Sequence, residues 1–280
     1  MTRFVIGLGA NLGAREASFH AALDLLADTP GVEVEALSSL YDTAPVGPPQ
    51  PRYLNAAVRL RAALDPERLL DRLLAIERVL GRDRVREERW GPRTLDLDIL
   101  WASTGPVRTP RLEVPHPRLL ERPFALAPLL DVAPPELARS LAPRLAALGG
   151  PPARVPSAAP AVTRVDARGV LRIEAVARDA AEALALVVRA DPGQARVGPP
   201  RTVELESSRG LEGLAASLDS LFARGHRVRW LAVPRIEGST VHAVARIGPA
   251  GEAPRRVRAL ALEPTPEGAR ALLELASESP

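Results

Sequence analysis

The order of apolar periodicities predicts an α+β protein, with a ferredoxin-like βαββαβ core whose helices pack on the sheet and a second α+β domain after it. Three observations carry this. Residues 3 to 101 switch between two-residue and helical spacing in that order. A Pro/Gly/Ala-rich stretch without periodicity runs from 149 to 163. At 280 residues the chain is long enough for two domains of ordinary size. The expected division is therefore residues 1–148, a linker at 149–163 kept semi-extended by its prolines, and residues 164–280.

Arg3 to Leu8 reads as the first strand, and Phe19, Ala22, Leu23 and Leu26 follow at helical spacing. Val32 to Leu40 and Asn55 to Leu64 alternate as strands. Asp65-Pro66 then supplies an N-cap and a first-turn proline to a helix with Leu69, Leu70, Leu73 and Ile76 on one face, closed by Gly81. Leu95 to Trp101 is the fourth strand, and a helix is expected around Leu119 to Leu130. Gly7-Leu8-Gly9-Ala10-Asn11-Leu12-Gly13 lacks the order of a dinucleotide fingerprint or a P-loop and reads as a tight strand-to-helix turn, with Asn11 acting locally.

Composition removes several function classes. With no cysteine there is no disulfide framework, thiolate metal site or thiol nucleophile, so a metal would be held by oxygen or imidazole. No apolar run has the length of a membrane helix and no signal-peptide profile opens the chain, so a cytoplasmic protein is expected. There is no lysine, and the net charge is only +3, which demands no general nucleic-acid footprint.

The most informative segment is Arg89-Trp90-Gly91-Pro92-Arg93-Thr94-Leu95-Asp96-Leu97-Asp98. Side chains alternate along a strand, so Asp96 and Asp98 share one face and Leu95, Leu97 and Ile99 the other. Two carboxylates that close repel unless a cation lies between them, and Mg²⁺ takes one or two carboxylates while keeping positions for phosphate oxygens. Arg82, Arg84, Arg86, Arg89 and Arg93 upstream complete a reading as Mg²⁺ with polyphosphate. An edge strand with two surface acids would give the same string, and the segment alone leaves both open. Tyr53 and Asn55 share a strand face after a proline-rich connection in which the backbone of Thr43 and Val46 is stiffened. A ring beside a mixed-donor amide suits a planar heterocycle, or is ordinary strand-end packing. Glu77 fits a surface ion pair, and His116 between prolines fits either a structural ring or a phosphate donor beside Arg111, Arg118 and Arg122.

Together these segments are similar to the 6-hydroxymethyl-7,8-dihydropterin pyrophosphokinase family over roughly the first 150 residues. The similarity is carried by Gly9 to Gly13, Tyr41 to Pro45, Tyr53 to Ala57, Glu77 with Gly81-Arg82, Glu88 to Asp98, and Pro115-His116-Pro117 with Arg122 and Phe124. It implies pyrophosphoryl transfer from ATP to the 6-hydroxymethyl group of the pterin, with release of AMP, in folate biosynthesis. Asp96 and Asp98 would bind two Mg²⁺ ions with ATP, and Arg82 and Arg93 would join them as catalytic residues. Glu77, Arg84, Arg86, Trp90, His116 and Arg122, with Arg93, would serve ATP. Tyr53 and Phe124 would sandwich the pterin, with Asn55 and the backbone of Thr43 and Val46 reading its edge. One additional residue between Gly81 and Trp90 leaves the choice between Arg84 and Arg86 open, and Leu74 replaces a common polar residue.

Residues 164–280 carry no metal cluster or phosphate loop in sequence and read as strand, helix, strand, helix, three strands and a final helix. Gly210 to Leu214 and Val241 to Ala245 are faintly similar to archease, without its acidic ligands. A noncatalytic interaction or stabilising domain with an unknown protein partner is expected. Competing readings of the first half are an RNA-binding module, which would need aromatics in an RNP pattern on central strands, and a sensor domain, which leaves the acid pair unexplained.

Overall fold

The computed structural model describes residues 1–84, 91–157, 162–165, 170–177, 179–189, 201–249, 255–266 and 268–277. The chain divides into two compact units, Met1–Leu12 with Ala22–Ser157, and Gly13–Ala21 with Ala158–Pro280. The fold is α+β, and every strand pairing among the described residues is antiparallel.

The elements up to Ser157 are β1 (Thr2–Ala10), α1 (Arg15–Ala27), β2 (Val32–Leu37), β3 (Leu40–Thr43), β4 (Tyr53–Ala62), α2 (Pro66–Val79) and β5 (Asp96–Ala102), then β6 (Val107–Arg108), β7 (Glu113–Val114), α3 (Pro123–Val132), α4 (Pro135–Ala147) and β8 (Ala153–Val155). The sheet runs β5-β1-β4-β3-β8, with β2 also on β4. The single strand read over Val32 to Leu40 is two: β2 pairs with the second half of β4 and β3 with the first, separated at Ser38 and Ser39. Ser38 Oγ accepts from Ala57 N at this break, so β4 keeps its hydrogen bond across the gap.

α2 forms as its sequence dictates. Asp65 caps it by accepting from Arg68 N at 2.9 Å, Pro66 opens it, and Gly81 leaves it at φ 88. Leu69, Leu73 and Ile76 are fully buried, each contributing roughly 2 kcal/mol, which offsets the burial of Glu77 on the same face. The expected helix from Leu119 is a 3₁₀ turn at Leu119–Glu121 followed by α3, because Pro123 restricts Arg122 to an extended conformation. α4 was not anticipated.

α3 explains where the sheet stays open. It packs on β1 and β4, covering Val5, Ala57 and Leu100. Along the same face of β1 the next positions are Gly7 and Gly9, which offer no side chain for a helix to cover. Both lie within β1, which runs on past the expected end at Leu8, so Gly9 belongs to the strand and not to the strand-to-helix turn.

Two further expectations change. Part of the 149–163 linker is ordered as β8, an edge strand on β3; Pro151, Pro152 and Pro156 flank it without interrupting a ladder. Arg154 secures it by donating to Tyr41 Oη at 3.1 Å and Asp131 Oδ1 at 2.8 Å. In the second unit the elements are β9 (Val162–Val165), β10 (Leu171–Ala177), α5 (Ala180–Arg189), β11 (Arg201–Ser207), α6 (Gly210–Ala223), β12 (His226–Glu237), β13 (Thr240–Pro249), β14 (Arg255–Thr265) and β15 (Gly268–Ser277). They form sheets of order β14-β15-β10-β9 and β11-β13-β12. β15 stands where a final helix was expected. Its Ala, Leu, Glu and Arg favour helix by propensity, but Ala269, Ala271, Leu273 and Leu275 are buried at a period of two, and the β14 pairing decides the outcome.

Candidate functional site

A cleft of about 290 Å³ opens on the uncovered part of the first sheet. Its floor is Gly7 and Gly9, and register fixes what flanks them: Gly9 lies opposite Asn55 of β4 and Asp96 of β5, and Gly7 opposite Asp98. A Cβ at Gly7 would approach Leu100 Cδ1 to 3.1 Å. Tyr53, Asn55, Thr43 and Val46 line one side, Asp96, Asp98 and Arg93 the other, and His116, Arg122 and Phe124 close the third.

The acid side is a lattice of charges. Asp96 Oδ1 accepts from Arg82 Nη1 at 2.5 Å and Oδ2 from Arg93 Nη1 at 2.7 Å. Burial opposes its charge, but the two guanidiniums overcome this and hold its carboxyl below the usual range. Asp98 is the contrast: it makes no hydrogen bond or ion pair with a described residue. Burial pushes its carboxyl up, and the charges of Asp96 and Glu77 push it further, to about 7. An acid that no described residue hydrogen-bonds, lining a cleft beside an ionised one, has the donor chemistry for a hard cation. Among the described residues no group of three or more His, Cys, Asp or Glu assembles.

Glu77, expected on the ATP side, is paired with groups of the chain itself. Its Oε1 accepts from Leu97 N at 2.8 Å and Arg82 Nη1 at 2.7 Å; its Oε2 accepts from Arg84 Nε at 3.0 Å and Nη2 at 2.7 Å. Both oxygens are occupied, so Glu77 fixes the start of β5 and aims Arg82 at Asp96. The helical pattern of α2 showed its position but not these distant partners. Arg84 is drawn to Glu77, while Arg86 and Trp90 lie outside the described residues.

His116 lies between its two prolines on the wall of the cleft. Its N–H donates to Leu100 O, and its Nδ1 accepts from Arg118 N at 3.1 Å. Nδ1 therefore carries no proton, which leaves Nε2–H as the donor. Burial, then Arg122, pushes its pKa down and keeps the ring neutral. Arg122 is half-buried, 5.6 Å from the Phe124 ring centroid.

On the heterocycle side Asn55 donates from Nδ2 to Thr43 Oγ1 at 2.8 Å, leaving Oδ1 toward Gly9. Tyr53 Oη lies 3.2 Å from Gly91 O and 3.3 Å from Gln50 Oε1. The residue that sequence reasoning underrated is Asn11. Rather than a local turn former, it spans both sides: Oδ1 accepts from Arg93 N at 2.7 Å, and Nδ2 donates to Gln50 Oε1 at 2.9 Å and Pro51 O at 3.0 Å. Partners 39 to 82 positions away leave no local signal.

The profile of the 7,8-dihydro-6-hydroxymethylpterin-pyrophosphokinase family matches residues 5–134. A 2-amino-4-hydroxy-6-hydroxymethyldihydropteridine pyrophosphokinase from Methylorubrum extorquens is 46% identical over 135 residues, 48% of this chain and 84% of that protein. The chain belongs to this pyrophosphokinase family. An enzyme of the same name from Synechocystis sp. is 47% identical over 130 residues, 46% of this chain and 66% of that protein. A folate synthesis bifunctional protein of Arabidopsis thaliana is 46% identical over 129 residues, 46% of this chain but only 26% of that protein. Residues 5–134 thus carry the pyrophosphokinase of folate synthesis that these relatives name. No described helix is long and apolar enough to cross a membrane.

Proposed function

We propose that the cleft transfers pyrophosphate from ATP to 6-hydroxymethyl-7,8-dihydropterin, yielding the pterin diphosphate and AMP. The observation that carries this is the meeting, on one sheet face, of an acid pair flanked by arginines and a ring-and-amide pair, separated only by glycine. The strand order β5-β1-β4, with β2 and β3 both on β4, supports a ferredoxin-like core beneath it.

Tyr53 and Phe124 offer the faces between which the pterin lies, and Asn55, oriented by Thr43, presents Oδ1 to its edge. Asp96 and Asp98 would hold two Mg²⁺ ions. When bound, these would neutralise the triphosphate and polarise the β-phosphoryl group under attack. Arg82 and Arg93, held in place by Asp96, stand ready to shift to phosphate oxygens as charge moves during transfer. His116 donates its Nε2 proton to phosphate, and Arg122 adds charge from the same wall. Arg84, Arg86 and Trp90 belong to the ATP side of this proposal. Holding the hydroxymethyl oxygen in line with phosphorus is the largest contribution the protein makes, since the chemistry asks for position and field rather than a covalent intermediate.

Residues 164–280 are read as a noncatalytic domain, supported by two sheets closing with α5 and α6 on one filled core. The test of the main reading is direct. Purified protein given the hydroxymethyl pterin, ATP and Mg²⁺ should form AMP and pterin diphosphate in equal amounts; release of ADP, or turnover unaffected by chelation, would overturn it.

A further inference from the structure

We infer that Asn11 is a positioning residue that couples the two substrate halves of the cleft. This rests on the reaction proposed above and goes beyond it by naming the link.

The orientation of the Asn11 amide follows from its neighbours. Arg93 N can only donate and Pro51 O can only accept, so Oδ1 must face the first and Nδ2 the second, at the observed 2.7 and 3.0 Å. The backbone closes the same joint, because Asn11 N and Leu12 N both donate to Arg93 O, at 3.0 and 3.2 Å. Arg93 is thereby fixed at both its N–H and its carbonyl, and its side chain continues to Asp96 at 2.7 Å. On the other side, Gln50 Oε1 accepts from Asn11 at 2.9 Å and lies 3.3 Å from Tyr53 Oη, which is also 3.2 Å from Gly91 O. With the single Tyr53 O–H proton given to Gln50 Oε1, a path of hydrogen bonds runs from the aromatic ring that meets the heterocycle, through Gln50 and Asn11, to the backbone of the arginine that meets phosphate. Asn11 is almost completely buried, so water does not replace these bonds when one side moves. Its amide is the only ordinary side-chain group of this size that can serve a donor on one side and two acceptors on the other. Ordering of residues 50–53 by the pterin thus sets the position of Arg93, and ordering of Arg93 by phosphate sets residues 50–53.

The test uses the full chain. Calorimetry gives the pterin dissociation constant with and without a nonhydrolysable ATP analogue and Mg²⁺, and their ratio is the coupling. Asn11→Asp keeps the acceptor for Arg93 N but turns an oxygen toward Pro51 O. Gln50→Ala breaks the link from the loop side and gives a result even where an Asn11 variant fails to fold. Both should lower the coupling at least fivefold, toward unity, and lower kcat, while ATP affinity without pterin stays within threefold of wild type. A merely structural role would weaken both substrates alike and leave their ratio unchanged. Folded variants with wild-type coupling, or a wild-type protein whose coupling is unity, would overturn the inference. Absence of AMP from the wild-type protein would instead count against the reaction itself.

Discussion

The two sides of the cleft are built on opposite principles. Around Asp96, ion pairs of 2.5 to 2.7 Å tie Glu77, Arg82 and Arg93 into a network in which each charge depends on the others. Around Asn55, a neutral amide and a hydroxyl meet through one hydrogen bond, and Val46 is largely exposed. Charges buried in a low dielectric interact strongly and tolerate little loss, whereas stacking and neutral hydrogen bonds are weaker and separable. The acid side should therefore fail abruptly when altered and the heterocycle side by degrees.

The largest effect is expected at the acids. Asp96→Asn or Asp98→Asn should cut turnover on the order of a thousandfold or more, upward of about 4 kcal/mol in the transition state. Near-normal steady-state rates in either folded variant would remove the contrast. Next comes Glu77→Gln, which takes the charge from one of the acids paired with the buried Arg82. A loss of about 3–5 kcal/mol in urea unfolding is expected, and a loss under 1 kcal/mol would mean that the network is not interdependent.

A buried acid outside the cleft sharpens the comparison. Glu182, in the second unit, accepts from Glu16 N and Ala17 N at 3.2 and 3.3 Å, with no ion pair to a cation among the described residues. Burial, then the nearby Asp179 and Glu16, pushes its pKa up to about 7 against the pull of the backbone N–H groups. A raised folded pKa means that this stability is complete below the unfolded value near 4.5 and is lost as pH rises through about 7. Glu182→Gln should abolish that part of the decline in melting temperature between pH 5 and pH 8, worth roughly 3 kcal/mol at most. Identical pH profiles for variant and wild type would show that burial alone does not shift this group.

The smallest effects belong to the rings. Tyr53→Ala and Phe124→Ala should weaken pterin binding by about 1–3 kcal/mol and ATP binding much less. Equal calorimetric losses for both ligands would show that the rings serve the whole cleft and not one side.

What was legible in the sequence follows the range of the forces involved. The acid pair and the α2 cap at Asp65 are local patterns, and alternation or capping chemistry shows each within a few residues. Gly7 and Gly9 looked like a turn because glycine marks turns far more often than the floor of a cleft. Asn11, the second role of Glu77 and the pairing of β8 with β3 depend on partners that only tertiary structure brings near. β15 was read as a helix because Ala, Leu, Glu and Arg favour helix locally, and pairing with β14 prevailed.

The glycine floor also makes the sheet a caliper. Asn55 and Asp96 face Gly9 from neighbouring strands on either side, so their backbones stand two strand spacings apart, about 9–10 Å. That interval is set by main-chain hydrogen bonding, which no side-chain replacement can lengthen or shorten. Loops can change what is gripped at either end, but the span between the grips belongs to the backbone. A methyl on Gly9 would meet Asn55 Oδ1 at 3.6 Å and Asp96 Cβ at 3.8 Å, both ordinary contacts. The protein itself would accommodate that methyl without strain, and the loss would fall on whatever has to lie between the jaws.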